Sequence, residues 1–355
     1  MTDEQAKREK RKDEHIRLAL SDEPPRASHF DQLFFVHNSL TRTGVKDVDL
    51  EVEFPEFKFD TPFYINAMTG GSARSGSINQ VLAEVAKATG MAMAVGSQHA
   101  GLKNDQLAET YEIVRKVNPK GIVFANVGAD VTLDMARKAV EMLDANALQI
   151  HLNAPQELVM PEGGRDFTNW LENIEQINSR VGVPVIVKEV GFGMSRETLS
   201  FLREMGIMYV DVSGRGGTNF IGIENKRREK QEYVYLENWG QTTPVSLLEA
   251  QDFVDSMMVF ASGGIRNPLD AVKCLSLGAS AVGVASPVLR IVLEEGIERT
   301  IEEMKQWQDQ VKTICTMLGA RNLVELKQCP LVITKEVREW CDARGIDIRR
   351  YANRK

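Results

Sequence analysis

Eight short apolar runs mark the chain after residue 60, at 63–67, 91–95, 122–126, 147–152, 185–188, 208–212, 258–261 and 281–284, each bounded by Gly or turn residues. Between most of them, apolar positions recur at spacings of 3 and 4, over 78–89, 133–143, 196–205 and 268–277, which predicts amphipathic helices. Strands alternating with helices imply a parallel sheet. Eight such units in a chain of 355 residues predict an α/β fold closed into a (β/α)8 TIM barrel, not an open doubly wound sheet. The expected organisation is one domain over 1–355, with the barrel at about 60–295. A basic N-terminal segment over 1–25 precedes it, and a charged helical extension over about 297–355 packs outside it. The sixth unit is irregular: about 45 residues separate its strand from the seventh, with a charged run at 224–232. A long loop there is expected to cover the C-terminal face, where such barrels carry their sites.

Composition narrows the function classes. Hydrophobic residues make up 43% of the chain, enough for a large core, and the net charge of −7 argues against a nucleic-acid partner. No apolar run approaches the roughly 18 residues of a membrane span. Charge from residue 3 onward argues against a secretory signal, so a soluble cytoplasmic protein is expected. The four cysteines show no C-x-x-C or zinc spacing and read as free thiols, Cys274 as a core residue.

The chemistry gathers at the strand ends. Ala261-Ser262-Gly263-Gly264-Ile265-Arg266-Asn267-Pro268 closes the seventh run and opens a helix. Its glycines let backbone approach an anion, and N–H groups at a helix start point at one. The eighth run delivers Gly283-Val284-Ala285-Ser286-Pro287, and loops seven and eight form the usual phosphate pocket of this barrel class. No G-x-G-x-x-G follows a strand, which argues against a Rossmann domain. Lys188 ends an apolar strand and needs an anionic partner, such as the N1/C2=O edge of a reduced flavin. In Gln149-Ile150-His151-Leu152-Asn153-Ala154-Pro155-Gln156-Glu157, the period of 2 puts Gln149, His151 and Asn153 on one face. Gln149 suits a satisfied polar layer, and His151 suits catalysis or substrate contact. Glu157 suits Mg²⁺, which often takes one or two protein carboxylates plus substrate phosphate and water. Asn66–Gly71, Gly96-Ser97-Gln98, Asn126-Val127-Gly128 and Ser213–Thr218 ring the same end.

Together with Arg11-Lys12-Asp13-Glu14-His15, Val187–Gly191 and Asp211–Asn219, these motifs resemble the type 2 isopentenyl-diphosphate isomerases, from residue 11 to about 290. The resemblance implies an FMN-binding barrel that interconverts isopentenyl and dimethylallyl diphosphate with Mg²⁺ and reduced flavin, NADPH serving as reductant. It implies a small-molecule diphosphate as partner and a homo-oligomer, tetramer or larger. FMN would contact Ala67, Met68, Thr69, Ser97, Asn126, Lys188, Ser213 and Thr218, with its phosphate against Gly263, Gly264, Arg266, Ala285 and Ser286. Arg11 and Lys12 would grip the diphosphate, with His151, Asn153 and Gln156 nearby, and Glu157 would hold Mg²⁺. Catalysis would fall to Gln156 and His151.

An allylic proton shift on an unactivated alkene needs a strong, well-placed acid in a dry site. No motif places a carboxylic acid or cysteine there, so the expected proton donor and acceptor is reduced FMN, with Gln156 orienting the alkene or relaying a proton. The alternative is an FMN-dependent 2-hydroxy-acid oxidoreductase, which needs a histidine base after strand six. Arg215 stands in that position, and arginine cannot act as a base near neutral pH. An IMP-dehydrogenase-like barrel needs a nucleophilic cysteine after strand six, yet no cysteine precedes Cys274. A flavin- or phosphate-binding scaffold without activity leaves the polar cluster His151, Asn153, Gln156 and Glu157 unexplained.

Overall fold

All eight apolar runs become strands of one closed parallel barrel: β1 Phe63–Ile65, β2 Ala92–Ala94, β3 Val123–Gly128, β4 Ala147–Leu152, β5 Val185–Glu189, β6 Tyr209–Asp211, β7 Met258–Ser262 and β8 Ala281–Val284. The computed structural model describes residues 28–354 together with Glu14, Arg17 and Leu18. β8 pairs with β1 through Val282–Phe63, Gly283–Tyr64 and Val284–Ile65, which closes the ring.

The period of 2 sorts each strand. Leu148, Ile150, Val185, Val187, Val210 and Val259 face outward and pack with the surrounding helices. Tyr64, Phe124, Ala147, Ile186, Tyr209 and Phe260 face inward and form a separate apolar cluster. Two residues further along, the inward positions turn polar: Asn66, Asn126, Gln149, Lys188, Asp211 and Ser262, all buried. The barrel is therefore an apolar plug below and a polar floor above. The plug is completed from outside. Val52–Glu53 pairs antiparallel with Lys58–Phe59, and this hairpin brings in Phe54, Phe57 and Phe59. Phe54 stacks edge-on against Phe260 with centroids 5.4 Å apart, and the Tyr209 hydroxyl donates to Glu56.

Local signals set the helices. Helix Ala73–Thr89 starts earlier than its apolar period suggests because Ser72 caps it, accepting from Ser75 N, and it stops at Gly90 in the left-handed conformation. Leu133–Leu143 matches the expectation; Arg196–Glu204 and Pro268–Ser276 each end one residue early. The segment after β6 is not the irregular loop expected. It holds helix Phe220–Lys226, a 3-10 turn at Val234–Leu236, and helix Thr243–Glu249. Ile221, Ile223 and Glu224 bury one side of the first helix, which the run of charges beyond it hides in sequence.

The C-terminal extension is helical over Ile297–Leu318 and Lys335–Arg344, and it also contributes a strand the sequence does not announce. Leu331–Ile333 pairs antiparallel with Leu33–Phe35. All four cysteines are free and buried, with Cys274 in the core. Among the described residues, no helix is long and apolar enough to cross a membrane.

Candidate active site

A cavity of about 1070 Å³ opens at the C-terminal ends of the strands. β1 contributes Ala67, Met68 and Thr69 to its wall; β2, Ser97; β3, Asn126; β4 and the helix after it, His151, Asn153, Gln156 and Glu157; β5, Lys188. The loop after β6 adds Ser213 and Thr218, and the last two loops add Gly263, Gly264, Arg266, Ala285 and Ser286. Every described residue expected from sequence is thus in one place. Arg11 and Lys12 lie outside the described residues.

The phosphate loops are built differently from the expectation in two respects. Gly263 and Gly264 have φ of +91° and +71°, and both meet the loop after β6. A Cβ on Gly263 would fall onto the Gly214 carbonyl, and one on Gly264 would sit 2.9 Å from Gly216 Cα. These glycines are required for loop to touch loop as well as for close approach of an anion. The loop after β6 is pinned to the last one by Thr218 Oγ1 and Ser286 Oγ at 3.0 Å. Arg266 lines the cavity, and its guanidinium is engaged by two carboxylates of the protein. Nε donates to Asp270 at 2.8 Å and Nη2 to Asp31 at 2.6 Å, because these carboxylates flank it at the helix start and in the 3-10 turn His29–Gln32. The guanidinium in turn holds the Asp31 carboxyl down at about 2.

Asp211, an acid inside an apolar strand, organises the floor. Its carboxylate accepts from Tyr64 Oη at 2.5 Å, Ser262 Oγ at 2.9 Å, Asn66 Nδ2 at 3.3 Å and Ser213 N at 3.0 Å. The last contact holds Ser213 at φ +32°, a conformation a serine rarely adopts. Lys188 is the direct register partner of Asp211 across β5 and β6, and its Nζ donates to the Glu189 carbonyl at 2.9 Å. Burial pushes the Lys188 ammonium below its usual range, against the charges of Asp211 and Glu189. Burial likewise pushes the Glu189 carboxyl up to about 8, although three successive N–H groups, of Val190, Gly191 and Phe192, donate to its Oε2. Asp211 received no role in the sequence reading. The signal was a lone acid in an apolar strand one strand away from a buried lysine.

The β4 cluster is held by a chain of contacts. Asn126 donates Nδ2 to the Val95 carbonyl at 3.0 Å, which leaves its Oδ1 to meet His151 Nδ1 at 2.9 Å. That fixes the Nδ1–H tautomer and sets Nε2 beside Gly128, so Asn126 is a bracket for His151. Asn153 Nδ2 donates to Glu157 Oε1 at 3.0 Å, and Gly164 N donates to Glu157 Oε2 at 2.8 Å. Gln156 Nε2 donates to Glu224 Oε1 at 3.0 Å. Glu224, fully buried on the helix after β6, was missed because sequence places it at the edge of a charged run. Gln149 is not part of a satisfied layer: it is fully buried, and neither amide atom has a hydrogen-bond partner among the described residues.

These residues fit a flavin mononucleotide. A deep cavity, a buried cation on its wall, glycine loops at the phosphate end and the buried Thr69 hydroxyl, without a partner among the described residues, are the surroundings a polar, phosphate-bearing ring cofactor needs. For Mg²⁺, no cluster of three His, Cys, Asp or Glu exists among the described residues. The donor set suits the ion only in the form with one protein carboxylate, Glu157, completed by substrate and water.

Comparison with known proteins agrees with this geometry. The profile of the FMN-dependent dehydrogenase family matches residues 97–332. The isopentenyl-diphosphate delta-isomerase of Staphylococcus saprophyticus is 54% identical over 343 residues, 97% of this chain and 99% of the relative. That of Staphylococcus epidermidis is 53% identical over 350 residues, 99% of this chain and 100% of the relative. Among solved structures, a flavocytochrome b2 variant with bound sulfite superimposes with a TM-score of 0.67 at 20% identity, covering 94% of this chain and 92% of that one. A mandelate oxidase variant gives 0.64 at 16%, covering 90% and 95%. These two share the barrel; the near-full-length relatives decide the family. On that ground the chain belongs to the isopentenyl-diphosphate delta-isomerases, in the form built on the barrel of the FMN-dependent dehydrogenases.

Proposed function

We propose that this protein interconverts isopentenyl diphosphate and dimethylallyl diphosphate, with FMN in reduced form, Mg²⁺, and NADPH as a reductant. The observation that carries the reading is the convergence of Lys188, His151, Asn153, Gln156 and Glu157 on one cavity in a chain with close isomerase relatives. Reduced FMN, when bound, supplies an electron-rich ring that can give and take the proton of an allylic shift.

The chain's own residues do the rest. Lys188 places a positive charge on the wall where a reduced ring is anionic, and Asp211 keeps that charge in place from the neighbouring strand. His151, held at Nδ1 by Asn126, lines the cavity and would donate to a diphosphate oxygen when protonated. Glu157 would hold Mg²⁺, which would offset the negative charge of the diphosphate. Gln156 is oriented by Glu224, whose carboxylate accepts from the amide NH₂ at 3.0 Å, and by Asn153, whose Nδ2 donates to the amide oxygen at 3.4 Å. That oxygen orients the substrate's allylic C–H or a relayed proton.

A 2-hydroxy-acid oxidoreductase on this barrel needs a base after β6. Arg215 fills the position, its backbone N–H bonded to the Gln241 carbonyl at 2.7 Å and its Nη1 donating to Asn238 at 3.3 Å. It supplies no base. The test is an anaerobic assay with FMN, Mg²⁺, NADPH and isopentenyl diphosphate. Dimethylallyl diphosphate should form only while the flavin is reduced. Full flavin reduction without product overturns the proposal.

A further inference from the structure

The peptide group between Glu189 and Val190 is held at both ends. Its carbonyl accepts from Lys188 Nζ at 2.9 Å, and its N–H donates to Glu189 Oε2 at 2.6 Å. The next two N–H groups, of Gly191 and Phe192, donate to the same oxygen at 2.9 and 2.6 Å. The chain wraps one oxygen this closely because Gly191, at φ +124°, adopts a backbone that other residues rarely reach. A peptide group is planar, so its carbonyl and its N–H turn together. Without the carboxylate this group would rotate, and the acceptor that holds Lys188 would swing with it.

The loop gathered in this way reaches the other side of the site. Val190 and Gly191 line the cavity. Phe192 forms a small apolar cluster with Val159 and Ile221, apart from the main core. Val159 ends the helix that carries Gln156 and Glu157, and Ile221 lies on the helix that carries Glu224. Backbone contacts fix the loop further: Gly193 N donates to the Ser213 carbonyl at 3.1 Å, and Gln241 N donates to the Phe192 carbonyl at 2.7 Å. One buried carboxylate therefore stands between the lysine on the cavity wall and the packing under two helices of the same cavity.

We propose that Glu189 is a positioning residue whose carboxylate, by gathering the N–H groups of Val190, Gly191 and Phe192, sets Lys188 and the helices carrying Gln156 and Glu224 as one unit. The roles of Lys188 and Gln156 rest on the isomerase reading; the coupling rests on the contacts themselves. Glu189 touches neither substrate nor cofactor in this account. It acts through its own peptide group on one side and through Phe192 on the other.

The test compares full-length wild type with Glu189→Leu and Glu189→Gln, all loaded with FMN. Leucine fills the volume and accepts nothing. Burial pushes the Glu189 carboxyl up to about 8, so a glutamine changes little charge near neutral pH and keeps an oxygen for the three N–H groups. Hydrogen exchange, read by mass spectrometry, follows three segments: the loop after β5, helix Ala154–Val159 and helix Phe220–Lys226. In Glu189→Leu all three should exchange at least about tenfold faster, a local opening. Helix Ala73–Thr89, across the ring from β5, should keep its wild-type rate. The FMN dissociation constant of Glu189→Leu, from fluorescence titration, should rise about tenfold, the worth of roughly one hydrogen bond. Its kcat for isopentenyl diphosphate should fall roughly 10²-fold with KM changed less, the loss a misplacement of about 1 Å produces. Glu189→Gln should stay within about threefold of wild type in exchange and FMN affinity, less than one hydrogen bond is worth. Faster exchange confined to the loop in Glu189→Leu overturns the coupling. Wild-type rates in Glu189→Leu, or a Glu189→Gln variant that matches it in faster exchange, overturn the anchor. If Glu189→Leu does not fold, fast exchange of the Val190, Gly191 and Phe192 amides in wild type overturns the anchor. Absence of turnover in the wild type refutes the isomerase reading and leaves the exchange rates to decide the coupling.

Discussion

Replacing Asp211 by Asn removes one charge and almost no volume, and the structure indicates what that costs. The carboxylate accepts four hydrogen-bond donors and lies in register beside the buried Lys188. With Asn in place, the Tyr64 hydroxyl can turn to accept and Ser213 N keeps its oxygen. Asn66 Nδ2 then faces a second NH₂, and Lys188 loses its cross-strand anion. Breaking a buried charge pair by removing one partner costs about 3–5 kcal/mol, and the donors that readjust favour the lower end, about 3. With an unfolding entropy of about 2.1 cal/mol/K per residue, 3 kcal/mol lowers the melting temperature by about 4 °C in a chain of this size. Thermal unfolding of the cofactor-free protein measures it. The double variant Asp211→Asn with Lys188→Met separates the two causes. If the stranded ammonium is the main loss, removing it should restore about half or more of the stability, a coupling that only a contact pair shows. A shift below about 1 °C in the single variant, or a double variant no better than the single, refutes the charge-pair account.

Other outcomes follow from contacts already described. Asn126→Ala removes the acceptor at His151 Nδ1; imidazole ¹⁵N NMR should show mixed tautomers, and kcat/KM should fall about tenfold, the worth of roughly one hydrogen bond. Glu157→Gln should raise the Mg²⁺ concentration for half-maximal turnover about tenfold or more while leaving FMN binding intact. Gly263→Ala combines a φ of +91° with a clash against the Gly214 carbonyl, and should lower both melting temperature and FMN affinity, which fluorescence titration reads. Arg266 lowers the Asp31 carboxyl to about 2, so the pair contributes stability above the ordinary carboxylate pKa and loses it as pH falls from about 4 to 2. The stability difference between wild type and Asp31→Asn should close over that window.

The barrel was legible because each strand carries a short, mainly apolar run and each run ends in turn chemistry. The same simplicity explains what was not. Strands Val52–Glu53, Lys58–Phe59 and Leu331–Ile333 are too short to show a period, and their pairing is decided by tertiary partners, Phe260 and Leu33–Phe35, that no local window contains. The cavity lining could be named because motif and strand end coincide at each position. Roles were harder. Asn126 and Arg266 are residues that look like ligand contacts, yet their side-chain groups are engaged by the protein. Asp211 and Glu224 matter through side chains on other strands and loops, which sequence spacing does not reveal.

The pairing of Leu33–Phe35 with Leu331–Ile333 also bears on how the molecule is made. About 300 residues separate the two strands, and at roughly 5–20 residues per second of synthesis the first waits some 15–60 s for the second to emerge. Until then Phe34 and its neighbours form an open, apolar strand edge, a template for association with other nascent chains. His29 and Asp31, just ahead of that strand, gain Thr242 and Arg266 earlier, so the first tethers to form are those to the residues on either side of β7. A ribosome-bound chain truncated before residue 331 should therefore hold the Asp31–Arg266 contact while leaving the edge exposed to chaperones.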